Sequence, residues 1–257
     1  MPKTITQKIQ SLGGTDRDKP ELISYKTLRR AIGWLGILLP VILFIGGCLF
    51  AAEMKLEVQP SISHYYFTNM REIFVGTLCA VAMFLFCYKG NNKQDSRAAN
   101  LAGIFALLTA LFPTDIIELS KVGNTATYYH GQAELVSFIT VSFHDTIHFT
   151  CATLFFLTLA YMSLFLFTKS KGYMTREKRR RNRIYKTCAW TMIGSILGIA
   201  AYFIGVHFKV FDDSTHRPVV YVFEFIALIA FGISWLTKGE VIEADAASKH
   251  QNKAYGQ

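Results

Sequence analysis

The stretch Ala31-Ile-Gly-Trp-Leu-Gly-Ile-Leu-Leu-Pro-Val-Ile-Leu-Phe-Ile-Gly-Gly-Cys-Leu-Phe-Ala-Ala52 runs for 22 residues without a charge. As a helix rising about 1.5 Å per residue, it covers the roughly 30 Å of a bilayer's hydrocarbon core. Five more apolar segments follow it: Ile73–Tyr88, Ala98–Pro113, Phe149–Phe167, Cys188–Val206 and Val219–Leu236. The expected fold is therefore all-α, a bundle of six transmembrane helices. Pro40 predicts a kink in the first span, because proline removes one backbone donor and crowds the preceding turn. The second and third spans have 16 residues each. They are expected to borrow polar flanks such as Met70–Glu72 or Thr114, or to sit in a locally thinned bilayer. The helical pattern of the fourth span extends outward through His148, Asp145 and His144.

The loops between these segments differ in charge. The N-tail, the second and fourth loops and the C-tail hold 22 of the 27 Lys and Arg residues, and the other loops with their helix rims hold six of the seven histidines. Cationic loops stay cytoplasmic because Lys and Arg resist translocation, which predicts both ends inside. The domain organisation follows: a cytoplasmic tail over 1–30, the six-span domain over 31–237 and a second cytoplasmic tail over 238–257. The segment Lys169–Lys186, rich in Arg and Lys, is expected as the main inside loop. The N-tail stripe Ile5, Ile9 and Leu12 has the spacing of an interfacial helix, the alternative being a disordered tail.

Hydrophobic content of 51%, with only 18% charged residues, suits a chain folded largely in lipid. The net charge of +9 then reflects topology and attraction to anionic headgroups, with no recognition module for nucleic acid. The five cysteines all fall in apolar spans, without a CxxC pair, and read as small buried residues. The first 30 residues are polar and carry seven Lys and Arg, so the first span is expected as an uncleaved start signal. Gly194-x3-Gly198 has the small-residue spacing that permits close helix approach.

The sharpest local pattern is His144-Asp145-x-x-His148, since residues four apart share a helix face and two imidazoles can meet one ion. His207 ends the fifth span at a similar depth and is the expected third ligand of a zinc site. His64, His130, His216, Asp115, Glu118, Asp212 and Asp213 are further candidates on the same side. The plainer alternative is that these histidines sit at headgroup level and bind water or backbone. The segment Pro60-Ser-Ile-Ser-His-Tyr-Tyr-Phe-Thr-Asn-Met-Arg-Glu72 is the densest polar stretch, offering Ser63, His64, Tyr65, Arg71 and Glu72 for a ligand. Ser63 beside His64 invites a nucleophile–base reading, although neighbours in sequence seldom reach that geometry. Its alternative is an interfacial loop with tyrosines in the aromatic belt and a polar cap on the second span. Glu224, about one and a half turns into the last span, is the deepest acid and needs a partner or a proton. Arg71 is the expected partner.

The blocks Ser61-Ile-Ser-x-Tyr-Tyr, Arg71-Glu-Ile-Phe-Val-Gly76, Leu111-Phe-Pro-Thr114, Phe155-Phe-Leu-Thr-Leu-Ala-Tyr161 and Phe231-Gly-Ile-Ser-Trp-Leu-Thr-Lys238 resemble an uncharacterised bacterial six-helix membrane family. The likeness covers roughly residues 24–240. It implies that topology and the cytoplasmic membrane of a bacterium, and carries no activity. The start of the first loop is also faintly similar to the DRAM-type six-helix family. His144-x3-His148 resembles the HxxxH pair of the ceramidase and adiponectin-receptor zinc hydrolases. This chain departs from them in having six spans instead of seven and the pair in span four, and in lacking their Ser-x3-His element.

The expected function is an integral membrane protein whose outer His and acid cluster binds a lipid headgroup, a small ligand or a metal. The alternative is a zinc hydrolase acting on a lipid, with His144, His148 and His207 as ligands and Asp145 or Glu72 as general base. A proton-coupled carrier built on Glu224 finds no repeat in the sequence to support it. Histidines paired across facing helices are also the pattern of a haem carrier.

Overall fold

The computed structural model describes residues 20–50, 58–90, 92–112, 114, 144–170, 174–210 and 218–240, and these are helical without a strand. Six long helices follow in order: α1 Pro20–Leu49, α2 Arg71–Cys87, α3 Lys93–Leu111, α4 His144–Tyr161, α5 Arg176–His207 and α6 Val219–Lys238. A short 3-10 helix, Ile62–Phe67, lies between α1 and α2, and a π-helical turn, Met162–Leu166, continues α4. The stretches around His130, Asp115, Glu118, Asp212, Asp213 and His216, and the N-tail stripe, lie outside the described residues.

Four of these helices are long and apolar enough to cross a membrane: Tyr25–Leu49, His144–Leu166, Arg176–His207 and Val219–Lys238. The other two differ for readable reasons. α2 has only 17 residues, and α3 opens with Lys93, Asp95 and Arg97 in its first turns. The outward faces fit lipid. Trp34, Leu38, Ile42, Ile45 and Leu49 are exposed along one stripe of α1 at helical spacing, as are Leu154, Leu157, Tyr161 and Phe165 on α4 and the π turn. A bundle in water would carry polar residues at those positions.

Each helix packs on its neighbours in sequence, and α6 closes the ring on α1, with the broadest contacts between α5 and α6 and between α1 and α6. α3 buries a face of small residues, Ala98, Ala99, Ala102, Ala106 and Ala110. Small residues let backbones approach where lipid gives no hydrophobic drive to associate. The tightest crossing is α1 on α6. A Cβ on Gly232 would meet the Gly33 carbonyl oxygen at 2.6 Å, and one on Gly33 would meet the Gly232 oxygen at 2.9 Å. The Gly194-x3-Gly198 spacing does not mark a comparable approach. Gly194 has open space where its side chain would be, and Gly198 accommodates the ring of Phe223.

Two boundaries differ from those expected. α1 begins at Pro20, eleven residues before Ala31, and runs through Pro40 to Leu49 as one helix. The basic segment expected as a loop up to Lys186 is helical from Arg176, forming the first turns of α5 behind a Thr175 N-cap that accepts from the Lys178 amide. Charged residues are good helix formers, so polarity alone ends a span and not the helix.

Candidate functional site

The polar stretch before α2 is a buried cap. Ile62, Ser63, Tyr65, Tyr66, Phe67 and Met70 are all buried, which places the tyrosines inside the bundle end and not in an interfacial belt. Local bonds explain the turn. Ser61 accepts from the His64 amide and its hydroxyl lies 2.6 Å from His64 Nδ1, while Thr68 Oγ1 donates to the Tyr65 carbonyl and accepts from the Met70 amide. The polar cap expected on α2 is absent: Met70 occupies the N-cap without a side-chain bond.

Long-range bonds then pin the cap to α6 and α4, which are themselves bonded to α1 and α3. The Tyr221 amide of α6 donates to the Pro60 carbonyl, and the Tyr221 hydroxyl donates to the Pro40 carbonyl of α1. Glu224 Oε2 accepts the Ile62 amide at 2.6 Å. Arg71 is not its partner: the guanidinium of Arg71 lies over the Tyr66 ring, 4.8 Å from its centroid. Glu224 and the Ile62 amide at the start of the short helix are thereby each given a hydrogen-bond partner.

His148 is the centre of the cap. It is 1% exposed, and its Nδ1 faces the carbonyl oxygens of Phe112 at 2.7 Å and Thr109 at 3.1 Å. Carbonyls only accept, so Nδ1 carries the proton, and Nε2 of the neutral ring accepts from Ser63 Oγ at 2.8 Å. The sequence explains the need. The Thr109 carbonyl would ordinarily accept from the amide four residues on, and Pro113 has none. His148 supplies that missing donor from another helix. Ser63 and His64, neighbours in sequence, do not pair with each other: Ser63 bonds His148 and Ser61 bonds His64.

The zinc arrangement is not formed. No three of His, Cys, Asp and Glu converge at metal-binding distance among the described residues. Both ring nitrogens of His148 are taken by protein groups. His207 is exposed at the end of α5 and rests on Phe208. Asp145 is held by Thr146, and Glu72 is exposed in the first turn of α2. His64 remains as the imidazole closest to solvent in the cap. Burial holds its pKa down at about 4, well below the ordinary imidazole, and the neighbouring His148 acts in the same direction.

Comparison with protein-family models, with curated proteins and with solved structures finds no match to this chain.

A second cluster, at the end of the bundle carrying the basic loops, had no counterpart in the sequence reading. The rings of Tyr88, Trp235, Phe167 and Tyr185 stack edge-on in a chain, with centroids 5.1 Å, 5.3 Å and 5.5 Å apart. Cations lie over three of them: Arg29 over Tyr88, Lys238 over Phe167 and Lys178 over Tyr185. Nearby, Lys26 pairs with Glu240 at 2.8 Å, and Arg30 Nε donates to the Gly239 carbonyl, tying the start of α1 to the end of α6. The only signal in sequence was an aromatic residue close to a basic one in each of four segments.

Proposed function

We propose that the chain is a six-span, N-in/C-in protein of a bacterial cytoplasmic membrane whose extracytoplasmic cap binds a lipid headgroup or small polar ligand. The observation that carries this reading is the convergence on one short 3-10 helix of Ser61, Ser63, His64, His148 and Glu224, from three parts of the chain. The partition of Lys and Arg, 22 of 27 on the loops and tails assigned inside, supports the topology. His64, Arg71 and Glu72 form the polar rim of that cap in this reading, with Tyr65 buried in it, and no metal is needed. Topology is tested by reporter fusions: those after Arg97 and Arg181 report cytoplasmic, and those after Glu57, Lys121 and Asp213 report extracytoplasmic. One inverted pair of neighbouring loops defeats the six-span count. Ligand binding is tested with photo-reactive phospholipids in vesicles. The peptide 58–72 is expected to be labelled, and His64→Ala to reduce that labelling. Labelling spread evenly over the outer helix ends refutes the site.

The Ser63–His148 bond favours a second reading, a serine-dependent acyl transferase or hydrolase acting on a lipid ester. His148, with its tautomer fixed by carbonyls, is oriented to take the Ser63 proton as Oγ attacks an ester carbonyl, and to return it to the leaving alcohol. Ser63 is only 6% exposed, so this reading requires a motion that uncovers it. A fluorophosphonate probe that labels the wild type but neither Ser63→Ala nor His148→Ala supports it. Equal labelling of all three rejects it.

A further inference from the structure

We propose that the groove between α3 and α4 binds one anionic phospholipid of the inner leaflet, its phosphate at Arg97 and an acyl chain along the groove floor. The groove follows from residue spacing. Gln94, Arg97, Ala98 and Leu101 of α3 stand at i, i+3, i+4 and i+7, and Leu154, Leu157, Thr158 and Tyr161 of α4 repeat that spacing. Each helix thus turns one stripe toward the same hollow of about 450 Å³. The two helices run antiparallel. His148 at the start of α4 meets the Thr109 and Phe112 carbonyls at the end of α3, while Lys169 beyond α4 meets Gln94 at the start of α3. Arg97 and Tyr161 therefore lie at the end with the basic loops, and Leu101 and Leu154 lie deeper.

The floor is small and apolar. Ala98 is buried, and Thr158 spends its hydroxyl on the Leu154 carbonyl at 2.7 Å, so its polar atom asks nothing of a ligand. Leu101, Leu154 and Leu157 form exposed apolar walls. From Gln94 to Leu101 the stripe rises about 10 Å, most of the roughly 15 Å of hydrocarbon in one leaflet, which is the depth an acyl chain fills. The mouth is cationic. Arg97 lines the groove itself and is exposed, one residue before the apolar run that begins at Ala98. From there a guanidinium reaches phosphate level while its stem lies on the apolar wall. Lys169 stands at the same mouth; its Nζ gives one of three donors to Gln94 Oε1 at 3.0 Å, and that partner is neutral. Asp95, the acid nearest in sequence, is buried on another face of α3, toward Tyr88 and Lys238. Two cations at the mouth, with no carboxylate among the groove's lining residues, complement an anion. Arginine grips phosphate with two parallel N–H bonds, and tyrosines such as Tyr161 sit well at headgroup level. Unselected lipid would need only the apolar walls; the cation set into the mouth is what selects an anionic headgroup. The choice of leaflet rests on the N-in/C-in reading, and the groove and its charge do not.

The full chain in neutral detergent is titrated with phosphatidylglycerol or with phosphatidylcholine of the same acyl chains, and lipid-bound states are counted by native mass spectrometry. One phosphatidylglycerol is expected to be held per chain at a concentration where phosphatidylcholine is not. Arg97→Gln should raise the concentration needed roughly tenfold, the equivalent of about 1.4 kcal/mol. Arg183→Gln, which removes an exposed cation of α5 outside the groove, should leave it unchanged. Thr158→Phe, which fills the floor, should weaken retention with Arg97 intact; Leu157→Trp takes its place if that variant does not fold. Equal retention of the two lipids, an equal loss in Arg97→Gln and Arg183→Gln, or unchanged retention in the filled variant overturns the proposal. So does displacement by an equal concentration of inorganic phosphate, which would assign a free anion. A chain that stays dimeric and holds no lipid assigns the groove to a second copy and overturns it as well. Micelles have no inner side, so a failure of the topology leaves these outcomes unmoved.

Discussion

Replacing His148 by leucine removes one side chain and strands three partners. The Ser63 hydroxyl loses its acceptor, and the Phe112 and Thr109 carbonyls lose their donor, all in a buried place. An orphaned buried polar group costs about 1–3 kcal/mol, whereas hydrogen bonds between membrane helices average only about 0.6 kcal/mol. Weighing the two, His148→Leu is expected to destabilise by about 3 kcal/mol, lowering the unfolding midpoint by roughly 6–12 °C for a chain of this size. The assay is built in. Cys151, one turn along α4, and Cys188 are buried thiols, whereas Cys87 is exposed and Cys48 and Cys79 are half-buried, so with those three replaced by alanine in every variant a fluorogenic thiol dye reports unfolding on heating in detergent. Ser63→Ala provides the internal control. Added to His148→Leu it should cost about 1 kcal/mol less than in the wild type, because its partner is already gone. If the two changes add, Ser63 and His148 do not share a bond, and the centre of the cap has been misplaced.

Glu224→Ala leaves the Ile62 amide without an acceptor and should cost about 1–3 kcal/mol, while Glu224→Gln keeps a carbonyl oxygen there and should cost less. Equal losses in both, measured by the same thermal assay, would mean that the negative charge is what matters and not the hydrogen bond. The His64 pKa falls from 6.5 to about 4 on folding, so below pH 6.5 the unfolded chain takes up a proton that the folded cap refuses. Stability is therefore fully present above that pH and drains away as pH drops toward 4, by about 3 kcal/mol in all. His64→Gln should flatten that slope in midpoint-versus-pH measurements, and an unchanged slope assigns it elsewhere. Gly232→Val drives a side chain into the α1 backbone and should cost about 1–3 kcal/mol or more. Gly194→Ala, with open space at its Cβ, should stabilise α5 by up to about 1 kcal/mol. Similar effects from both would place the helix crossing in the wrong pair.

Hydropathy located the helices because a long uncharged run in lipid has little choice but to satisfy its own backbone. Hence α2 and α3 start and stop within a few residues of their apolar runs, and the helix at His144 was legible from the 3.6-residue period. Side-chain direction was not legible. His148 shares a helix face with His144, but nothing in the local sequence says that its imidazole turns inward to Ser63, 85 residues away. Glu224 announced a need for a partner without naming it, and the backbone of Ile62 met that need where a cation had been expected. One signal was available: Pro113 has no amide to offer the Thr109 carbonyl, which leaves that carbonyl open to a donor from elsewhere. The aromatic cluster around Trp235 was hidden for a different reason. It is assembled from α1, from the ends of α2, α4 and α6, and from α5, with only a few residues from each, so no window of sequence contains it.

The closure of the ring on α1 has a consequence for how the chain is made. The helix that fills the Gly33–Gly36 groove, the carboxylate that receives the Ile62 amide and the hydroxyl that reaches the Pro40 carbonyl all belong to α6. During synthesis α1 enters the membrane well over a hundred residues before any of them exists. A chain halted after α5 therefore leaves the Gly33–Gly36 groove of α1 unfilled and the cap untied.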